Sequence, residues 1–163
     1  MNDANDLTAS LRTEYELLRT HYDAFDVKVL NIKSWSTLLV PGGIGLGINN
    51  MSVPIIILSL IAAAFLWVLE AYWKLFQHCH RARIDEIERY FRSKEELYIV
   101  PLQISSSWER EYDNKSENGR RRPSLINLAF RPFVLIPYFP IIALGLLSIL
   151  YVLFHGDSSG IPQ

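Results

Sequence analysis

Basic side chains are the residues of this sequence whose type and spacing could do chemistry. Arginine presents a planar fork of donors that matches phosphate or carboxylate, so several arginines on neighbouring segments would bind an anion. The candidate ligand-binding residues are Arg81, Arg89, Arg92, Arg120, Arg121 and Arg122. In a ring of subunits they would form a positive collar, beside which aromatic side chains could stack on bases. The alternative is that these arginines set membrane topology and attract anionic lipid.

Glu70 is a second candidate, because it is the one charged residue between Ser34 and Trp73. An ionisable side chain inside an apolar segment usually faces a bundle interior or a water path, and this favours a role in lining or gating a pore. The alternative is a local ion pair with Lys74, four residues further along the same helix, with both groups reaching the membrane interface.

Four glycines lie close together in the first apolar segment, and Gly43, Gly45 and Gly47 are the candidate pore or gate residues among them. Small residues four apart allow two helices to approach closely, so one interpretation is tight packing of a helical hairpin. The other is that the glycine-rich helix from several subunits surrounds a narrow apolar pore that opens by wetting.

Enzyme chemistry is not expected from this sequence. His78-Cys79-His80 has metal-ligand side chains, but adjacent helical residues point about 100° apart and cannot easily share one ion. A Ser-His-Asp arrangement and a glycine-rich phosphate loop are both missing from the sequence. We therefore predict a protein that is not an enzyme and that carries no metal and no cofactor.

Three apolar segments must position these residues, and they predict an all-α integral membrane protein with three transmembrane helices. A helix needs about 20 apolar residues to cross a bilayer. The segments run from Trp35 to Ile48, from Pro54 to Trp73 and from Phe133 to Phe154. The first two form a helical hairpin. The first is short and carries Pro41-Gly42-Gly43 in its middle, so a re-entrant segment is the alternative there.

The distribution of charge predicts the topology. All 16 Lys and Arg lie between Arg12 and Arg131 and fall on one side of the three segments, which the positive-inside rule assigns to the cytoplasm. The acidic start of the sequence is unlike a secretory signal, so none is expected. The predicted organisation is a cytoplasmic amphipathic helix (1–33), a transmembrane hairpin (34–73), a cytoplasmic helix and polar loop (74–131), a third transmembrane helix (132–154) and a periplasmic tail (155–163).

The N-terminal segment has the heptad spacing of a coiled coil. Apolar residues three and four apart continue for three heptads, and charges of alternating sign flank them. The seam residues are Leu11, Tyr15, Leu18, Tyr22, Phe25 and Val29. We predict that this seam joins subunits into a homo-oligomer. The alternative is that it packs inside its own subunit, against the helix that leaves the second span.

That second helix is predicted to continue into the cytoplasm to about Lys94, since no Gly or Pro interrupts it. Its packing face would carry Tyr72, Phe76, His80, Ile84, Ile87 and Phe91. Leu97 to Ile104 is predicted as a short strand or an interfacial segment. Ser105 to Pro123 is polar and is predicted as a mobile loop.

The order of these segments resembles a known family. The stretch YELLRTHYDAFDVKVLNIKSW, then a tight hairpin, then AYWKLFQHCHRARIDEIERYF is similar to the small SLATT-like transmembrane effectors of bacterial anti-phage defence. The third span departs from a two-span effector and resembles the Hailong-type membrane effector. The resemblance implies a homo-oligomeric inner-membrane channel that depolarises infected cells, gated by a cyclic nucleotide, oligonucleotide or short single-stranded DNA, with a nucleotidyltransferase encoded alongside.

From the residues and this resemblance we predict a ligand-gated ion channel of the bacterial inner membrane, with a cytoplasmic N-terminus and a periplasmic C-terminus. The alternative is a non-conducting membrane anchor or an immunity-type interaction protein. A transporter subunit is disfavoured, because the three spans show no repeat and no polar site at the midplane.

Overall fold

The computed structural model describes residues 2–93, 99–113 and 123–156 of the chain. All secondary structure within these ranges is helical, which confirms the all-α prediction. The helices are α1 (Asn2–Asn49), α2 (Val53–Arg92), α3 (Ile104–Tyr112), α4 (Leu125–Ala129) and α5 (Pro132–Gly156).

The chain divides into two compact units, and α1 and α2 each contribute residues to both. Unit 1 contains Met1–Lys28 and Trp73–Ser124, and unit 2 contains Val29–Tyr72 and Leu125–Gln163. The core of unit 1 is formed by Leu11, Leu18, Ile84, Ile87 and Ile99. The core of unit 2 joins α1, α2 and α5 and is formed by Val40, Ile44, Ile56, Ala63, Ile141 and Val152.

Helix α1 is continuous from the heptad seam through the first apolar segment, and Pro41 lies inside it. It ends in a Schellman motif. The N–H of Ser52 donates to the carbonyl of Gly47 at 2.8 Å, and the N–H of Met51 donates to that of Ile48 at 3.1 Å. Met51 has the positive φ of 48° that this motif requires. The turn reverses the chain directly into α2, where Pro54 suits the first helical turn because its missing N–H needs no partner there.

Helix α2 extends as predicted, and it ends at Arg92. The predicted packing face of its second half is partly wrong, because Tyr72 and Phe91 are 40% and 45% exposed. Leu75 and Cys79 are buried in their place, at 3% and 0% exposure. The buried stripe is therefore rotated from the one predicted, and its large aromatic residues lie at the edge.

The segment after α2 also differs from the prediction. Ile104–Tyr112 forms α3, where a mobile loop was predicted from polarity. The helix is anchored by two aromatic rings, because Trp108 and Tyr112 both pack near Phe76, at centroid distances of 5.9 and 6.3 Å. The predicted strand or interfacial segment at 97–104 is non-helical over residues 99–103.

Among the described residues, two helices are long and apolar enough to cross a membrane. They are α2 and the stretch Pro132–His155 of α5. Both expose large apolar side chains in unit 2, including Leu58, Phe65, Ile136 and Phe139, each of them two-thirds exposed. An apolar surface of this kind is typical of helices that contact lipid.

Candidate functional site

A buried ion pair joins α1 to α2 in unit 2. The ammonium of Lys33 lies 3.2 Å from Glu70 Oε1, and the Glu70 side chain is 0% exposed while that of Lys33 is 26% exposed. The local partner considered for Glu70, Lys74, has its ammonium 2.7 Å from Asp26 Oδ1. The Glu70 ion pair therefore connects two helices. A buried carboxylate without such a partner would cost several kcal/mol.

Lys33 has a second partner, because its ammonium donates to the backbone carbonyl of Phe133 at 2.6 Å. In an uninterrupted helix that carbonyl would accept from the N–H four residues later. The residue there is Pro137, which has no N–H to donate. The proline thus frees the acceptor that the lysine uses, and Lys33 bridges α2 to the first turn of α5.

Two hydroxyl groups complete the buried polar group. Ser36 and Tyr138 are both 0% exposed. The Tyr138 hydroxyl lies near Ser36 and Glu70, and Ser36 Oγ donates to the carbonyl of Lys33 at 2.9 Å. We call Lys33, Ser36, Glu70, Tyr138 and the Phe133 carbonyl the charge cluster. Glu70 was predicted from the sequence, whereas its partners were not, because they lie on other helices.

The glycines of α1 are of two kinds. A Cβ at Gly43 would collide with Ser59 Oγ, and a Cβ at Gly47 would collide with Ile56 and approach backbone atoms of the turn. These two glycines therefore serve close packing of the hairpin. Gly45 is different, because nothing lies within 4 Å of the position that its Cβ would take. Of the three candidate pore glycines, Gly45 alone faces outward from the described subunit.

The outward side of α1 in unit 2 carries small and polar residues. At about 100° per residue they occupy an arc of roughly 140°. They are Asn31, Ser34, Thr37, Gly42, Gly45 and Asn49, all exposed, and they share the arc with the exposed Leu30 and Leu38. We call this surface the α1 polar face. The Ser34 and Thr37 hydroxyls each donate to a carbonyl of their own helix at 2.9 Å, so they need no second protein partner.

The heptad seam is used inside the subunit. Leu11, Leu18 and Val29 are 0%, 1% and 4% exposed within the single chain. Tyr15 and Tyr22 pack against the unit 1 core. Phe25 contacts the rings of Trp73 and His80 at centroid distances of 5.6 and 5.2 Å. The seam therefore packs within one subunit, which was the alternative, and assembly into a homo-oligomer stays a prediction.

Polar contacts reinforce that packing. Gln77 Nε2 donates to the carbonyl of Tyr22 at 3.2 Å and to Asp26 Oδ1 at 3.0 Å. Burial raises the pKa of Asp26, but hydrogen bonds from Lys74 and Gln77 outweigh burial and hold the pKa below its usual range. Tyr15 donates to Glu88 at 3.0 Å, and this hydrogen bond raises the pKa of Tyr15.

The sequence interpretation missed the most buried charged pair of unit 1. Glu14 is 1% exposed and Arg83 is 2% exposed. The guanidinium of Arg83 donates to both Glu14 oxygens, at 2.8 and 3.1 Å, and to Glu86 at 3.0 Å. Burial lowers the pKa of Arg83, but these carboxylates outweigh burial and raise it, so the group stays charged.

The same pair holds the segment that leads into α3. Arg83 donates to the carbonyl of Val100 at 2.7 Å, and the N–H of Leu102 donates to Glu14 Oε2 at 2.8 Å. Leu102 has a positive φ of 62°, a backbone conformation that a leucine rarely adopts. The ion pair therefore fixes a strained backbone against two helices.

The predicted anion-binding arginines are only partly described. Arg120, Arg121 and Arg122 lie outside the described residues. Arg81 and Arg92 are exposed and pair weakly along α2, at 3.8 Å, with Asp85 and Glu88, while Arg89 donates to a carbonyl of its own helix. These three described arginines are therefore placed on a solvated helix surface.

One of those arginines lines an open cleft in unit 1. The cleft has a volume of about 520 Å³ and is lined by Arg12, Tyr15, Glu16, Glu88, Phe91 and Arg92. It combines two guanidinium groups with two aromatic rings, but the two glutamates balance its charge. The His78-Cys79-His80 triplet is placed elsewhere. Cys79 is buried, and no group of three metal-ligand side chains occurs among the described residues.

No protein-family model matches the chain, and no curated protein or solved structure is significantly similar to it.

Proposed function

We propose that this protein is a membrane-embedded channel, in which several copies place the α1 polar face around a water-filled path for ions. One observation carries the proposal. The outward surfaces of α2 and α5 in unit 2 present large apolar side chains, whereas that of α1 combines exposed apolar side chains such as Leu39 and Leu46 with an arc that carries Ser, Thr, Gly and Asn. Polar side chains form no hydrogen bonds with lipid tails, so this face is most stable in contact with water or another protein.

We further propose that unit 2 crosses the bacterial inner membrane with three helices. The apolar exposure of α2 and α5 supports two of the spans, and the packing of Val40 and Ile44 of α1 into the same core supports the third. All 16 Lys and Arg precede the last span, which places the N-terminus in the cytoplasm and the C-terminus in the periplasm by the positive-inside rule.

The proposal includes assembly into a homo-oligomer that depolarises the membrane in anti-phage defence. Because the heptad seam is occupied within the subunit, assembly uses the membrane-facing surfaces of unit 2. The trigger proposed is a nucleotide or a short single-stranded DNA made by a partner nucleotidyltransferase. The candidate site for this trigger is the cleft beside Arg12, Tyr15 and Arg92, since arginine and aromatic side chains contact phosphates and bases, and the phosphates would have to lie away from Glu16 and Glu88.

A non-conducting membrane anchor is the second candidate, and the hairpin packing favours it. Gly43 and Gly47 fit against α2, and a Cβ at Gly145 of α5 would collide with Leu60. A three-helix unit that satisfies its own close contacts does not need further copies in order to be stable.

The experiment compares two glycines that are two residues apart on α1. Gly45→Leu adds a bulky side chain to the open polar face, and Gly47→Leu drives one into Ile56 and the turn backbone. We expect Gly45→Leu to insert, fold and assemble normally but to lose ion flux from liposomes and toxicity on overexpression. Gly47→Leu should instead lower thermal stability, because overpacking a close contact costs about 1–3 kcal/mol.

Ion flux through Gly45→Leu at the level of the unsubstituted protein would contradict a pore along this face. The mass of the protein–detergent complex, measured by light scattering, tests assembly separately. A defined oligomer supports the channel, and a monomer favours the anchor. Absorbance at 260 nm on the same sample reports any bound oligonucleotide.

A further inference from the structure

The ammonium of Lys33 occupies a position that suits a small cation. It lies 3.2 Å from one oxygen of the fully buried Glu70 carboxylate and 2.6 Å from the Phe133 carbonyl oxygen. Carboxylate and carbonyl oxygens are the donors that replace the hydration shell of hard cations in proteins. The Phe133 carbonyl receives no helical hydrogen bond from residue 137, because Pro137 has no N–H.

We propose that Glu70 and the Phe133 carbonyl form a monovalent-cation site, which the Lys33 ammonium fills in this conformation and a permeating cation fills when Lys33 moves away. The inference rests on the proposed channel function and adds its selectivity, for small monovalent cations over anions. Lys33 is then a tethered cation that keeps the site closed to ions.

The balance of charge supports the exchange. Glu70 is 0% exposed, and loss of the positive partner of a buried carboxylate costs several kcal/mol, so departure of the Lys33 ammonium is favoured when another positive charge takes its place. Either a metal cation or a proton could supply this positive charge. Thermal unfolding distinguishes them, because a metal cation stabilises the protein at pH 8 and a proton does so only on acidification.

The position of Lys33 allows it to move, whereas that of Glu70 does not. The Lys33 side chain is 26% exposed, and it lies one helical turn before Thr37 of the α1 polar face. Because the Lys33 side chain is partly exposed at the edge of this face, rotation of its flexible stem can move the ammonium toward solvent, while the fully buried Glu70 carboxylate stays in place.

The test is thermal unfolding of purified Lys33→Ala in detergent at pH 8. Potassium chloride is compared with N-methylglucamine chloride at equal ionic strength, because the organic cation is too large for the site. We expect potassium to raise the Tm of Lys33→Ala saturably, as a ligand of the folded state does. The unsubstituted protein and Lys33→Ala/Glu70→Gln should have the same Tm in both salts.

Equal Tm values for Lys33→Ala in the two salts would overturn the proposal. Stabilisation that appears only on acidification would also overturn it, because a proton and not a metal ion would then replace the ammonium. If Lys33→Ala does not fold, Lys33→Met keeps the apolar stem and the same comparison applies. Lys28→Ala, on the same helix but outside the charge cluster, is the control and should show no preference for potassium.

Failure of the site and failure of the channel are distinguishable, because the Tm comparison requires no current. Where current is present, the reversal potential in a potassium chloride gradient gives a second readout. We expect cation selectivity in the unsubstituted protein and a shift toward zero reversal potential in Glu70→Gln. An unchanged reversal potential in Glu70→Gln would remove Glu70 from ion selection, whatever the protein conducts.

Discussion

Removing the charge of Glu14 is expected to destabilise unit 1 strongly. The substitution Glu14→Gln keeps the size of the side chain and an oxygen for the N–H of Leu102, but it places an amide against the guanidinium of Arg83. Loss of one partner of a buried ion pair typically costs about 3–5 kcal/mol. Glu86 remains 3.0 Å from Arg83 and is partly exposed, so it compensates in part. We therefore expect a loss near 3 kcal/mol, the lower end of the range of about 3–5 kcal/mol.

Two assays measure this change. Thermal unfolding in detergent reports the loss of stability, which is a large share of the roughly 5–15 kcal/mol of an ordinary domain. Hydrogen exchange over residues 99–113 reports release of the segment that Glu14 and Arg83 hold. Peptides from α5 should exchange as before.

Glu16→Gln is the matched control, because Glu16 lies on the same helix, two residues away, and is exposed. We expect it to change stability by about 0.5 kcal/mol or less. If Glu14→Gln and Glu16→Gln were equally stable and exchanged equally over residues 99–113, the buried pair would not hold this segment.

Three further predictions concern single positions. Leu18→Asp should destabilise the protein by more than about 3 kcal/mol, because Leu18 is buried. Leu17 is half-exposed, so Leu17→Asp should have little effect. A Leu18→Asp variant that folds stably but dissociates into monomers would indicate that the seam joins subunits. Gly145→Ala should lower the Tm, since its Cβ meets Leu60 of α2 and Ile44 of α1, and an unchanged Tm would indicate that these side chains move aside at little cost. The pKa of Tyr15 in the folded protein should exceed its usual value, because Tyr15 donates a hydrogen bond to Glu88. The stability that this hydrogen bond contributes should therefore be fully present below about pH 10, and it should be lost as the pH rises through the pKa of Tyr15 in the folded protein. Absorbance titration against Tyr15→Phe checks this, and Glu88→Gln should lower the pKa of Tyr15 toward its usual value.

The helices could be predicted because their signals are local. An apolar run without breakers predicted α2, an apolar run predicted α5 despite Pro137 and Pro140, and heptad spacing predicted the first half of α1. The α3 helix was missed because its stability comes from Trp108 and Tyr112 packing near Phe76, a tertiary contact that the polarity of the segment does not reveal.

Of the residues in the charge cluster, only Glu70 could be predicted from the sequence. Glu70 is conspicuous as an isolated charge, but its partners Lys33 and Tyr138 lie on different helices, and nothing in the sequence pairs them. Hydrophobic spacing predicts that a helix has a packing face but does not identify the helix that packs against it. The heptad pattern was therefore compatible with packing between subunits or within one. Arg83 was not singled out from the sequence, because its burial depends on Glu14, 69 residues away.

The most direct test of the channel proposal is the current across a planar lipid bilayer after addition of the purified protein. We predict stepwise currents from the unsubstituted protein and none from Gly45→Leu, with both forms inserted as the same oligomer. Absence of current from an inserted oligomer of the unsubstituted protein, tested with and without nucleotide and short single-stranded DNA, would contradict the proposal that the α1 polar face lines a pore.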